Sequence, residues 1–190
     1  MNWSKSSDFI PGAVPFRKFP GRNGVFDAFA PVLLTSVVKP ALIANGGSVL
    51  HVSSMDHNSS VFDPGNMQGE RSWSGYEAYA RSKLFNIMFT LDLSSGDNAV
   101  RSNSLDPGVI TTKLLHAGWS LAGDEVSVGG DDVFETVIEI ARHGYNGEYF
   151  ENARPAICSS VARAPAARQE NEIPKQKPRF FGSFVIENVA

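Results

Sequence analysis

The chain has 190 residues and a single cysteine, Cys158, which excludes an internal disulfide framework and predicts a reducing, cytoplasmic setting. Positive charge is not in surplus. Seventeen Lys and Arg stand against 20 Asp and Glu, so no electrostatic footprint for nucleic acid or an anionic membrane surface is expected. Long apolar runs are also lacking. The nearest approach, VFDAFAPVLLTSVVKPALIA (25–44), is interrupted by Asp27, Lys39 and two prolines. It reads as a helix buried in a soluble core rather than as a membrane span. The opening residues, MNWSKSSDFIPGAVPFRKFPGRNG, contain no apolar stretch of the kind a signal peptide needs. The four histidines, His51, His57, His116 and His143, lack paired ligand spacing, so no metal site is expected. No Gly-x-Ser-x-Gly elbow is present, which argues against serine hydrolysis. Nor is there a Gly-x-Gly-x-x-Gly turn to cradle a pyrophosphate.

What is present is the composition of a soluble globular domain, 42% hydrophobic and 19% charged. Residues 1–24 are rich in Gly, Pro, Arg and Ser and read as an irregular lead-in. The helix at 25–44 ends at NGG (45–47). SVLHVSS then forms a short strand whose lack of alternation fits a strand covered on both faces of a parallel sheet. Ser74 followed by Glu77 makes a capping box for a helix over YEAYARSKLFNIMFTLDL (76–93). AVRSNSL (99–105) is a second strand, residues 130–143 a helix capped by Gly144, and GEYFEN (147–152) a third strand. Strand and helix alternate with short connections, which predicts an α/β domain built on a parallel sheet over residues 25–156. Residues 157–190 read as a disordered tail. Its polar, proline-bearing part begins near 164, and FFGSFVIENVA is a stray strand at most.

Parallel sheets bind ligands at the carboxyl ends of their strands. Ser53 and Ser54 end the first strand, and Pro107 and Gly108 end the second. Tyr79 and Lys83 lie in the first two turns of the helix between them, on one face at i and i+4. An ammonium beside a phenol favours its ionised form. Such a phenol can give a proton to a substrate oxygen or take one away, with Ser54 holding that oxygen. The Tyr-Lys spacing alone is weak, because a core tyrosine beside a snorkelling lysine looks the same. Ser54 and DPG at the same rim turn the balance towards carbonyl and alcohol interconversion, with hydride from a cofactor.

In this order GGSVLHVSS, YARSK and NSLDPGVITTKL resemble the second half of a short-chain dehydrogenase/reductase. NMQGERSWSGYEAYARSKLFN is similar to the retinol-dehydrogenase-like branch, with its long insert between serine and tyrosine. The resemblance spans about residues 25–156. It implies NAD(P) as cofactor and a small alcohol or carbonyl as substrate, with Ser54 orienting the substrate and Tyr79 as acid/base. Lys83 would assist Tyr79 and hold the nicotinamide ribose, and Pro107, Gly108, Val109, Ile110 and Thr112 would wrap the cofactor. KLLHAGW would be the mobile helix over the substrate. The helices at 25–44 and 76–93 would serve dimerisation. Asp27 falls where the family carries a proton-relaying asparagine. The family's opening strands and glycine-rich turn have no counterpart, so the sequence predicts an incomplete Rossmann-like domain, a truncated form with the catalytic half and without the main cofactor half. The alternative expectation is a non-catalytic remnant acting as a binding or dimerising module.

Overall fold

The computed structural model describes residues 28, 30–60, 62–63, 66, 71–95, 100–119 and 121–164. The lead-in at 1–24, Asp27 and the tail beyond 164 lie outside the described residues.

The chain runs α1 (Ala30–Asn45), β1 (Ser48–Val52), a 3-10 turn (Met55–Ser59), α2 (Gly75–Leu93), β2 (Arg101–Asp106), α3 (Lys113–Trp119), α4 (Val126–His143), β3 (Tyr149–Glu151), β4 (Arg154–Ala156) and α5 (Ser160–Arg163). The four strands lie side by side in the order β1-β2-β3-β4. β1, β2 and β3 are parallel, with Leu50 beside Asn103 and Leu105 beside Phe150. That is the α/β class expected, with one addition. β4 returns antiparallel to β3 through Asn152 and Ala153, both at positive φ. A two-residue turn of this hand matches the twist of the strands it joins.

Local sequence explains the element ends. Gly46, at φ +62°, ends α1, and the Gly46 and Gly47 N–H groups donate to the carbonyls of Ile43 and Leu42. This is the paired closure that a left-handed glycine permits. Ser74 caps α2 by accepting the Glu77 N–H, while the Glu77 carboxylate takes the Ser60 hydroxyl and Arg81. Gly144, at φ +69°, closes α4 on the Ile140 carbonyl.

The sheet is packed on both faces. On one side Leu84, Ile87 and Met88 of α2 meet Tyr149, Cys158 and Ala162. On the other, Ile140 of α4 meets Leu105 and Phe150. The polar run in β2 is buried at no net loss of hydrogen bonds where Asn103 sits. Its amide donates to the Tyr145 carbonyl and accepts the Glu148 N–H.

Three expectations are corrected. The helix at 25–44 is not a buried core helix. α1 buries only Thr35, while Leu33, Leu34, Val37, Val38 and Ile43 face solvent. Its apolar content shows what it can pack against, not that anything does. β1 is covered on both faces only in part: His51 is buried against the helices and Leu50 packs against the Ile140 cluster, while Val52 is 47% exposed. Finally, the ordered domain runs past residue 156, because Cys158 and Ala162 belong to the core.

Candidate active site

β1 and α2 meet at the carboxyl rim of the sheet through a small set of hydrogen bonds. Ser53 follows β1, and its hydroxyl donates to the Lys83 carbonyl at 2.9 Å. The Val52 carbonyl accepts from Lys83 Nζ at 3.4 Å and from Asn86 Nδ2 at 3.1 Å. Lys83 Nζ also lies 5.3 Å from the centroid of the Tyr79 ring. The ammonium therefore sits over the phenol's face while tied back to the strand end. Tyr79 and Lys83 are both half-buried, which leaves them in reach of a ligand.

Ser54 sits one residue further along, in extended conformation at the head of the 3-10 turn. Its Oγ accepts the Asp56 N–H at 3.3 Å, so the hydroxyl proton remains available to donate. Its carbonyl accepts from His57 Nδ1 at 2.7 Å.

The rim of β2 joins the same assembly through Asp106. This carboxylate accepts the Gly108 N–H at 3.0 Å and a backbone N–H from Met55, next to Ser54. Burial pushes its pKa up, the two N–H groups pull it down, and Glu151 and Asp56 push it up again. Gly108 adopts φ +86°, a conformation glycine favours, and a Cβ there would meet only Ile110 Cδ1, at 3.9 Å.

Beyond Gly108 the segment is held stiffly. The Thr111 N–H donates to the Asp124 carbonyl and the Asp124 N–H to the Val109 carbonyl, each at 2.8 Å. Thr111 Oγ1 donates to the Gly123 carbonyl at 2.8 Å and accepts the Gly123 N–H at 2.9 Å. Ile110 rests on Gly129 of α4, where a Cβ would lie 2.8 Å from Ile110 Cγ1. Thr112 caps α3 by accepting the Leu115 N–H at 3.2 Å.

The three segments carrying Ser54, Tyr79 with Lys83, and Pro107 to Thr112 thus converge on one edge. Asp27 is outside the described residues, so the proton-relay position receives no structural account. Three contributors were not singled out from sequence. Asn86 shares the Tyr79 and Lys83 face of α2, at i+7 and i+3, and helical spacing could have flagged it. His57 and Asp106 act through backbone groups, which no sequence pattern displays.

Tyr149 lies close by and offers a useful contrast. Burial, then Asp106 and Glu151, raise its pKa above the ordinary phenol value, so it stays protonated and fixed in the core.

The residues fit the nicotinamide-ribose end of a dinucleotide. Lys83 supplies a cation, Gly108 turns the backbone at positive φ, and Val109 exposes an apolar surface. Among the described residues there is no glycine-rich turn leading from a strand into a helix, the element that would take a pyrophosphate.

No protein-family model matches the chain. It is 41% identical over 100 residues to the polyprenol dehydrogenase of Mus musculus, covering 47% of this chain and 30% of that protein. It is 33% identical over 86 residues to human retinol dehydrogenase 11, covering 44% and 27%. The chain thus spans less than a third of the length of either relative. Among solved structures, the carbonyl reductase Sniffer of D. melanogaster matches with a TM-score of 0.52 and 20% identity. That match covers 78% of this chain and 62% of the other, and it speaks to the fold alone.

Proposed function

The chain belongs to the short-chain dehydrogenase/reductase family, and from that premise we propose that it is an NAD(P)-dependent oxidoreductase interconverting a small alcohol and its carbonyl. The observation that carries this reading is the joint placement of Tyr79, Lys83 and Ser54 at one rim. Lys83 lies over the Tyr79 ring and is hydrogen-bonded to the strand that delivers Ser54.

Hydride exchange is the chemistry a nicotinamide would bring to the site. The chain's own residues handle the proton and the orientation. In the reducing direction the Ser54 hydroxyl donates a hydrogen bond to the carbonyl oxygen and fixes it. Tyr79 gives that oxygen its phenolic proton as negative charge develops there. Lys83 favours the phenolate left behind, and in the oxidising direction each step reverses. Lys83 and the segment Pro107–Gly108–Val109–Ile110–Thr112 would hold the ribose and nicotinamide. A cytoplasmic setting belongs to the same proposal. Among the described residues no helix is long and apolar enough to cross a membrane.

The decisive experiment is titration with NADPH and NADH while following nicotinamide fluorescence. Binding with turnover that is lost in Tyr79→Phe supports the proposal, whereas no binding at millimolar cofactor overturns it.

A second reading rests on a different observation. Leu33, Leu34, Val37, Val38 and Ile43 of α1 are all exposed, and soluble monomers rarely leave such a row uncovered. In that reading the chain is a non-catalytic module that self-associates through α1 and α2. Concentration-dependent association without cofactor binding would favour it.

A further inference from the structure

If Ser54 orients the substrate oxygen, as the reading above has it, then whatever aims Ser54 sets the geometry of the reaction. The geometry points to His57 as the positioning residue for Ser54, acting as a strut between the Ser54 rim and the start of α5.

His57 is fully buried. Its two ring nitrogens meet two backbone groups of opposite character. Nδ1 lies 2.7 Å from the Ser54 carbonyl, and Nε2 lies 3.0 Å from the Ser159 N–H. A carbonyl can only accept and a backbone N–H can only donate. Nδ1 must therefore carry the proton and Nε2 must present its lone pair, which selects one neutral tautomer without reference to any hydrogen position. Protonation at Nε2 would break the bond to Ser159. Burial lowers the pKa of the ring and holds it neutral. The Ser54 carbonyl and the carboxylates of Glu151, Asp106 and Asp56 act in the opposite direction. The ring packs against Tyr149 in a T-shaped contact, with centroids 4.9 Å apart.

Each bond acts on something specific. By engaging the Ser54 carbonyl, His57 fixes the peptide orientation after Ser54. That orientation lets Ser54 Oγ cap the turn at Asp56 and keep its proton for a ligand. By accepting from Ser159, the residue that caps α5 through its own hydroxyl, His57 ties this rim to a segment 102 residues away. α5 in turn sets Ala162 into the core beneath α2.

The two ends can be cut separately, because asparagine places an amide near the Nδ1 position and glutamine places one near Nε2. His57→Asn keeps a donor for Ser54 and loses Ser159, while His57→Gln does the reverse. Amide hydrogen exchange read by NMR needs no turnover, so it tests the strut even if the chain proves not to be an enzyme. In His57→Gln the Asp56 and His57 amides, which bond to Ser54, are expected to exchange about tenfold faster, with Ser159 unchanged. In His57→Asn the Ser159 amide is expected to accelerate instead. Where cofactor-dependent turnover is measured, kcat falls about tenfold further in the Gln variant than in the Asn variant, with KM for cofactor alike in both. Equal effects of both variants on the amides of residues 56 and 57, or none from either, would overturn the inference. Nitrogen-15 spectra of the wild-type ring supply a check that needs no variant to fold. A proton on Nδ1 supports the strut, and one on Nε2 refutes it.

Discussion

His51 of β1 and Thr90 of α2 are joined at 3.0 Å through Nδ1 and Oγ1, in the interior between sheet and helix layer. Thr35 of α1 approaches the other ring nitrogen at 3.4 Å and Ser102 of β2 approaches Nδ1 at 3.4 Å. One imidazole thus links four elements in a region otherwise free of charge. Burial lowers its pKa to about 4.

Acid sensitivity follows from that shift. A folded pKa below the unfolded value gives stability that is present above about 6.5 and is lost as pH falls towards about 4. The full component is roughly 3 kcal/mol. In His51→Gln, urea unfolding between pH 7 and pH 4 is expected to show a shallower decline than wild type by that amount. Parallel declines would contradict it.

Asp106 behaves oppositely. Its folded pKa is raised, chiefly by burial, so its contribution is fully present below the unfolded carboxylate pKa and is lost as pH rises through the folded value. Asp106→Asn cannot ionise. Its stability relative to wild type is therefore expected to improve as pH rises from about 3, whatever the constant offset between the two proteins. A relative stability that worsens with rising pH would exclude this.

The stiffness of the cofactor-facing segment rests on Gly123, where a Cβ would run into the Val109 carbonyl rather than a movable side chain. Gly123→Ala is expected to cost about 1–3 kcal/mol. It should also speed exchange of the Thr111 and Asp124 amides, which hold the two arms together. Unchanged exchange at both positions would show that the arms do not depend on this contact.

On α1, Leu34→Glu with Val37→Glu alters two exposed side chains. The monomer's stability is expected to change by no more than about 0.5 kcal/mol per site. Any self-association through this face is expected to disappear in sedimentation velocity. Loss of the fold instead would mean that the face is covered within a single chain.

The sequence was informative where local chemistry decides. The Ser74 cap and the glycines that end α1 and α4 each depend on neighbours close in the chain. Residues whose contacts lie far away were harder to read. α1 looked like a core helix because leucine and valine report affinity for a partner without showing whether one is present. β4 leaves no such mark, because its turn puts Asn152 and Ala153 at positive φ, where glycine is the usual signal. At the rim, Ser54, Tyr79 and Lys83 could be placed from strand and helix order alone. His57 and Asp106 could not, since their partners are peptide groups that every residue possesses.

The two margins of the sheet are chemically unlike, and this gives its assembly a direction. β4 is three residues long and contains Pro155, which has no N–H to offer a further strand. β1 has five residues, Ser-Val-Leu-His-Val, with no proline and no Asp, Glu, Lys or Arg, and among the described residues it is paired on one side only. Growth of this sheet by another strand is thus blocked at one margin and chemically permitted at the other. Beside that second margin stands the solvent-facing row of α1, so a strand arriving there with an apolar helix would gain backbone pairing and side-chain burial in a single step.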